Sequence, residues 1–278
     1  MHPEMWLNPA TQENLSILKA RGIHIIEPDL GALTSGDSGI GRFPETARII
    51  TEFESALKPS TELAGMKVLI SAGGTREAID PVRYIGNRSS GKQGIALARE
   101  ALKRGAQVTM VAANIPTVHI PGLVVINVES AHEMLNSLQN EISSSNILFM
   151  SAAVADARPK NTSGVKIKKS ELDAIELQEN PDIIAELSKS KKSDQTFVAF
   201  AAESSEDKIE ARRKLRAKGS DLIYLNDISG GAIFGADSTQ GWILDSEDLE
   251  LFVPQTTKDT LARILLDQAL IKLGYSNV

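Results

Sequence analysis

Cysteine is absent from the 278 residues. That excludes disulfides, thiolate-held zinc, iron–sulfur clusters and a cysteine nucleophile together. Histidine is scarce: His2, His24, His119 and His132 are scattered, and none pairs with another at metal-ligand spacing. Positive charge is in deficit, with 30 Lys and Arg against 36 Asp and Glu and a net charge of −6, which argues against a bulk nucleic-acid binder. Long apolar runs are missing too. The stretch Ile147 to Ala155 is far short of the ~20 residues a bilayer span needs. The opening Met1-His-Pro-Glu-Met has no signal-peptide pattern. These absences predict a cytoplasmic protein that works on small molecules, away from membranes and nucleic acid.

The composition that remains is globular, 42% hydrophobic and 24% charged, on a chain long enough for one or two domains. Residues 1–60 read as a helix (Pro9 to Arg21), a short strand (Ile23 to Ile26), an irregular glycine-rich loop (Gly31 to Arg42) and a second helix (Pro44 to Leu57). Residues 61–65 read as a linker. From Met66 onward strands and helices alternate. Strands are expected at Met66–Ala72, Gln107–Ala112, Val124–Val128, Ile147–Val154, Thr196–Ala201 and Asp221–Leu225. Helices are expected at Gly91–Arg104, Ala131–Ile142, Asp182–Ser188 and Glu206–Lys218. A hairpin (Gly241–Leu244, Leu249–Val253) and a helix (Lys258 to Leu273) close the chain. The alternation predicts an α/β fold, a Rossmann-like parallel sheet flanked by helices.

Several motifs carry chemistry. Gly86 to Lys92 fits G-x-x-x-x-G-K, but Gln93 stands where a P-loop needs Ser or Thr, and the preceding strand ends as early as Ala72. The physics outlives the failed motif. Ser89, Ser90 and Gly91 sit where a helix begins, so free N–H groups and the helix dipole can hold an anion there; an ordinary serine N-cap is the competing reading. Gly73 and Gly74 follow the first strand, yet G-x-G-x-x-G is missing and Ala112 and Ala113 occupy the place of the ribose-binding acid, which weakens a nicotinamide-dinucleotide reading. The long loop from Thr75 to Asn87 offers Arg83 as a fork for phosphate or carboxylate, unless Arg76, Glu77, Asp80 and Arg83 form a surface ion network. Lys166 and Lys168 alternate behind the polar loop Asn161–Gly164, and Lys214 and Lys218 lie one turn apart on a charged helix. Either pair also suits a solvated face. Asp156 follows an apolar strand, where α/β sheets bind ligands.

The string from Ala72 to Gly94, with Ser151 to Asp156, Lys166 to Lys169, Asn180 to Ile184, Phe200 to Glu203 and Asp221 to Asp227, closely resembles bacterial phosphopantothenate–cysteine ligases over about Met66 to Leu270. The resemblance implies that 4′-phosphopantothenate and cysteine are joined at the expense of CTP with Mg²⁺, through an acyl-cytidylate, in coenzyme A biosynthesis, by a homodimer or higher homo-oligomer. It places Asn87 against the acyl group, Lys166 at the phosphates and Arg83 in support as the catalytic set. It gives the nucleotide Gly73, Gly74, Ser89, Ser90 and Gly91, then Met150, Ser151, Ala152 and Asp156. It adds Pro181, Asp182, Ile183, Ile184, Phe200, Lys214 and Lys218. Metal ligands stay unassigned.

Residues 1–57, through Met1 to Gln12 and Gly36 to Arg42, resemble the tail of a flavin-dependent phosphopantothenoylcysteine decarboxylase. The flavin-binding glycines of that domain are not in this sequence. His2 stands where an asparagine is usual and Ser35 where the catalytic cysteine is usual, so neither FMN binding nor decarboxylation is expected. A non-catalytic nucleotide-binding or assembly module is the alternative to the ligase, and cysteine-dependent turnover separates the two.

Overall fold

The computed structural model describes residues 1–21, 23–33, 36–57, 60–169, 174–203, 207–227 and 238–275. The chain divides into two units, Met1–Pro59 and Ser60–Val278.

The first unit holds α1 (Pro3–Trp6), α2 (Pro9–Ala20), β1 (Asp29–Ala32), β2 (Ser38–Arg42) and α3 (Thr46–Leu57). Asn8 caps α2, its Oδ1 accepting from the Ala10 N–H at 3.0 Å. Two expectations fail here. Ile23 to Ile26 is not a strand, and the glycine-rich stretch is no irregular loop, because β1 and β2 pair as an antiparallel hairpin with Gly31 opposite Gly39. The glycines serve close approach: the amino terminus donates to the Gly41 carbonyl at 2.7 Å, and a Cβ on Gly39 would lie 2.5 Å from Pro3 Cγ. Ser35 lies outside the described residues. Among the described residues of this unit only Gly41 and Pro44 are buried, and Leu30 and Phe43 are each 79% exposed.

The second unit runs β3 (Lys67–Gly73), β4 (Arg76–Ala78), β5 (Tyr84–Gly86), α4 (Lys92–Lys103), β6 (Gln107–Ala113), β7 (Leu123–Val128), α5 (Ala131–Ile142) and β8 (Ile147–Met150). It continues with β9 (Ala157–Pro159), β10 (Leu177–Glu179), α6 (Ile183–Ser188), β11 (Thr196–Glu203), α7 (Lys208–Lys218), β12 (Leu222–Asp227), β13 (Ser238–Asp245), β14 (Glu250–Thr257) and α8 (Lys258–Lys272). The eight-stranded sheet has the order β14-β13-β12-β11-β8-β3-β6-β7. It is parallel from β12 to β7, and β13 and β14 extend it antiparallel. Leu69, Ile70, Leu148 and Phe149 are completely buried, as strands covered on both faces require. Each such side chain contributes roughly 1.5–3 kcal/mol.

α4 and α8 pack on one face of the sheet, and α5, α6 and α7 on the other. The stretch 61–65, expected as a linker, is a turn within this unit. Leu63 is buried in the core, and its N–H donates to the Arg104 carbonyl at 2.8 Å. Two small hairpins, β4–β5 and β9–β10, stand outside the main sheet. The first occupies part of what reads from sequence as the long loop from Thr75 to Asn87. Among the described residues no helix is long and apolar enough to cross a membrane.

Candidate functional site

From β3 the chain winds outward through β6 and β7, then returns to lay β8 on the other side of β3. The strand order therefore reverses between β3 and β8, the place where open α/β sheets leave a crevice at the carboxyl ends of their strands. Two buried hydroxyls shape it. Ser71 Oγ accepts from the Ala152 N–H at 3.1 Å, and Thr75 Oγ1 accepts from the Ala155 N–H at 2.9 Å. The backbone adds Ala153 N–H to the Gly73 carbonyl at 2.8 Å and Thr75 N–H to the Ala153 carbonyl at 3.2 Å. The loop after β8 is thus stitched to the continuation of β3, and a cavity of about 720 Å³ opens beside it.

One wall is the start of α4. Gly91 is its N-cap at φ +71°, and no side chain caps the helix. By contrast Ser130, Asp182, Asp207 and Thr257 each cap the helix that follows with a side-chain oxygen. A serine N-cap on α4 is therefore not what forms. A Cβ at Gly91 would lie 2.5 Å from Ile115 Cγ2, so the turn needs glycine. Ser89, Ser90 and Gly91 line the cavity there, where the first-turn N–H groups have no intrahelical partners. Asn87 lies beside them, its Nδ2 donating to the Val154 carbonyl at 2.9 Å.

The opposite wall carries Met150, Ser151, Ala152 and Asp156 from the stitched loop, then Pro181, Asp182, Ile183 and Ile184. Asn180 holds these two segments together: its Nδ2 donates to the Ala155 carbonyl at 2.8 Å, and its N–H to the Asp156 carbonyl at 2.8 Å. Asp182 caps α6 through the Ala185 N–H and pairs with Lys218 Nζ at 3.1 Å, so one carboxylate both starts the helix and seats the lysine. Phe200 closes this side, edge-on to Tyr224 with ring centroids 5.9 Å apart.

Five expected residues are not on the wall. Gly73 and Gly74 lie behind it, packed against the Ala113 and Asn87 carbonyls. Lys214 is one turn from Lys218 on α7 but does not line the cavity. Lys166 is exposed on its loop. Arg83, expected as a fork for a ligand, is already engaged within the chain. Its guanidinium pairs with Asp80 and donates to the Ile167 carbonyl at 2.8 Å. The four-residue surface ion network is not what forms either, since Glu77 is buried and accepts from the Ala131 N–H, while Arg76 lies over the Tyr84 ring.

Asp80 also accepts from the N–H groups of Val82, Arg83 and Ile167 at 2.8, 2.9 and 3.2 Å. Asp80 and Arg83 together tie the Lys166 loop to the β4–β5 hairpin. The Arg83 hydrogen bond, with these backbone donors and against the cost of burial, holds the Asp80 carboxyl well below the usual carboxylate range. A lowered pKa stabilises the folded form fully above the ordinary carboxylate value of about 3.9, and that gain fades as pH falls toward the depressed value. We expect the Ile167 N–H to stay protected from hydrogen exchange at pH 5 and to lose protection only well below the ordinary carboxylate range, as pH approaches the depressed Asp80 value. Asp80→Asn should lose much of it at every pH. An Asp80→Asn loop as protected as the wild type would remove Asp80 from this role.

Four residues to which the sequence gives no site role also line the cavity: Tyr224 and Asn226, inside the Asp221–Asp227 motif, and Thr239 and Lys258, outside any motif. Thr239 comes from the antiparallel β13, whose sequence has no local ligand signature. The pairing of Asn226 with Gly241 is what brings it alongside.

A family model described as the DNA/pantothenate metabolism flavoprotein C-terminal domain matches residues 63–272. The coenzyme A biosynthesis bifunctional protein CoaBC of Mycobacterium tuberculosis (strain H37Rv) is 41% identical over 96% of this chain and 68% of its own. A cysteine/cysteine sulfinic acid decarboxylase from an unknown prokaryotic organism is 42% identical over 95% of this chain and 76% of its own. Among solved structures, the C-terminal domain of a CoaBC protein superposes with a TM-score of 0.65 and 33% identity, over 77% of this chain and 97% of that domain.

Proposed function

From a chain that belongs to the DNA/pantothenate metabolism flavoprotein C-terminal domain family, we propose a phosphopantothenate–cysteine ligase of coenzyme A biosynthesis that uses CTP. The observation that carries the reading is the cavity at the β3/β8 reversal, with an uncapped helix start on one wall and Asn87 beside it. It lies wholly within the matched span.

In this reading the carboxylate of 4′-phosphopantothenate attacks the α-phosphorus of CTP, and pyrophosphate leaves. The acyl-cytidylate then gives up CMP as the cysteine amine takes the acyl carbon and loses a proton. Both nucleophiles come from substrates, so a chain without cysteine is no obstacle. The protein's task is to neutralise charge and to orient. Ser89, Ser90, Gly91 and Lys218 face the phosphates, and Lys166 is carried to them by its loop. Met150, Ser151, Ala152, Asp156, Pro181, Asp182, Ile183, Ile184 and Phe200 frame the nucleoside. Lys214 adds positive potential from α7, and Gly73 and Gly74 shape the wall. Arg83 acts as a positioning residue through Asp80 and Ile167.

Magnesium in this reading arrives on the nucleotide, since this ion keeps its waters and is commonly held through substrate phosphates. A homo-oligomer is part of this reading through the resemblance to the family. The reading assigns the protein to the cytoplasm.

The test is pyrophosphate release from CTP and 4′-phosphopantothenate, with and without cysteine. The ligase forms pyrophosphate in both cases and phosphopantothenoylcysteine only with cysteine. A chain that binds CTP and releases no pyrophosphate is a binding module instead. Asn87→Asp removes the amide donor to Val154 and sets a carboxylate near the acyl phosphate. The cysteine step should slow by about 10²–10³ and activation by less, so intermediate accumulates in rapid quench. Equal loss in both half-reactions would remove Asn87 from the acyl site.

A further inference from the structure

In the cavity wall two hydroxyls and an amide stand in series. Tyr224 Oη lies 2.9 Å from Thr239 Oγ1, and Thr239 Oγ1 donates to Asn226 Oδ1 at 2.9 Å. Tyr224 is 2% exposed and Thr239 6%, while Asn226 is half-buried on the wall. The direction of this chain follows from counting protons. A threonine hydroxyl has one. Thr239 gives it to Asn226, so Thr239 must accept the proton of Tyr224. Turning the amide over would make Asn226 donate to Thr239 and Thr239 to Tyr224. The phenol proton would then have no acceptor among the described residues, and a buried donor in that state is strongly disfavoured. Burial pushes the Tyr224 phenol up to about 12, against a smaller opposing effect of its Thr239 hydrogen bond, so the donor keeps its proton at ordinary pH.

The polarity therefore runs one way. Asn226 Oδ1 is occupied, and Nδ2, which donates to no described residue, is what the amide has left to offer a ligand. Its surroundings say which chemistry suits it. Side chains alternate along β12, and Tyr224 packs into the cluster beneath α4 and α8, so Asn226 two residues on shares that face. The first turn of α4 lies on the same face: Gln93 Nε2 donates to the Lys258 carbonyl at the start of α8, at 3.4 Å. Gly91, Gln93, Lys258 and Asn226 all line this cavity. An N–H in the same cavity as a helix start without a side-chain cap suits a ligand whose oxygens only accept, as phosphate oxygens do.

We propose that Tyr224 and Thr239 are positioning residues that lock the Asn226 amide with its N–H toward the phosphate chain of the nucleotide. This rests on the nucleotide reading given above.

The experiment uses the full chain and inorganic pyrophosphate as the probe. Binding is measured by calorimetry, alongside KM and kcat for CTP and UTP, and thermal melting checks the fold. Thr239→Val deletes the relay hydroxyl at nearly constant shape, and Asn226→Asp puts a second acceptor where the N–H stood. Both should weaken pyrophosphate about tenfold or more and raise KM for CTP more than they lower kcat. The ratio of kcat/KM for CTP over UTP should not change. Thr239→Ser restores the hydroxyl and should bind as the wild type does. Tyr224→Phe should shift affinity in the same direction by a smaller factor. If Thr239→Val melts early, Asn226→Asp and Thr239→Ser still decide. Unchanged pyrophosphate affinity in Asn226→Asp overturns the proposal, as does a loss that falls on the CTP-over-UTP ratio instead. Wild-type protein that binds neither CTP nor pyrophosphate overturns the nucleotide reading itself.

Discussion

Lys166→Gln should lower the rate of acyl-cytidylate formation by about 10²–10³, the usual cost of removing one preorganised donor from a developing charge. The structure gives this expectation a mechanical form. Lys166 is exposed and off the cavity wall, yet its neighbour Ile167 is fastened on both backbone sides, N–H to Asp80 and carbonyl to Arg83. Upstream the same loop is held by the Ser163 N–H on the Ile79 carbonyl at 3.0 Å and by Thr162 Oγ1 on the Ala78 carbonyl at 3.1 Å. The loop thus hangs from the β4–β5 hairpin, with Lys166 between two tethers. On the proposed ligase reading substrate draws the lysine inward, so its contact belongs more to the transition state than to the resting enzyme. Affinity for CTP should fall less than turnover. Lys169→Gln, outside the tethered span, is the control and should turn over normally. Normal turnover in Lys166→Gln with loss in Lys169→Gln would show that the loop presents the other lysine.

Gly73→Ala should destabilise the second unit by about 3–4 kcal/mol, combining the cost of a left-handed backbone for a residue with Cβ and a steric insertion into packed structure. Gly73 sits at φ +85°, and a Cβ there would lie 1.9 Å from the Ala113 carbonyl oxygen and 2.7 Å from Ile115 Cγ2. The obstruction is the neighbouring strand's backbone, which cannot turn aside as a flexible side chain can. The same displacement would pull on the Ala153 N–H, which Gly73 receives at 2.8 Å, and so open the stitched loop. Urea unfolding gives the measurement, read as the shift in midpoint at constant slope. Gly164→Ala is the control, because nothing lies within 4 Å of a Cβ at that position. Equal midpoints for Gly73→Ala and wild type would mean that the turn adapts, and the argument from close approach would fail.

Much of the second unit was legible because its signals are local. Short apolar runs such as Gln107–Ala112 form strands wherever both faces are covered, and helix stops such as Gly105 act within one turn. The run that reads as a strand from Ile147 to Val154 is one only to Met150, because beyond it the backbone turns to the Ser71 hydroxyl and the Gly73 carbonyl. The helix Ala131–Ile142 appears with the expected bounds because its cap is written in four residues, Ser130 to Glu133. Apart from Lys166 to Lys169, whose loop hangs from the β4–β5 hairpin, the motifs that resemble the ligases each contribute residues to one crevice, because they lie toward the carboxyl ends of neighbouring strands or open a helix there. The glycine-rich stretch of the first unit reads as a loop because glycine has a low strand preference. Close approach of the chain start to Gly39 and Gly41 outweighs it.

Arg83 shows where sequence stops. Its type and place suit a ligand fork, but Asp80 is three residues away and takes the guanidinium first. Nothing short of the folded hairpin could decide between them, because both partners are equally good chemistry. The relay of Tyr224, Thr239 and Asn226 lies further beyond reach. It joins two strands through a pairing in which the intervening chain supplies no motif, and its polarity depends on the phenol being buried. Residue types along the chain therefore determined the family, the alternation of elements and the end of the sheet where ligands bind. Which donors remain for a ligand, and which are consumed within the protein, was decided only by the tertiary structure, because hydrogen-bond partners are allotted by proximity in space.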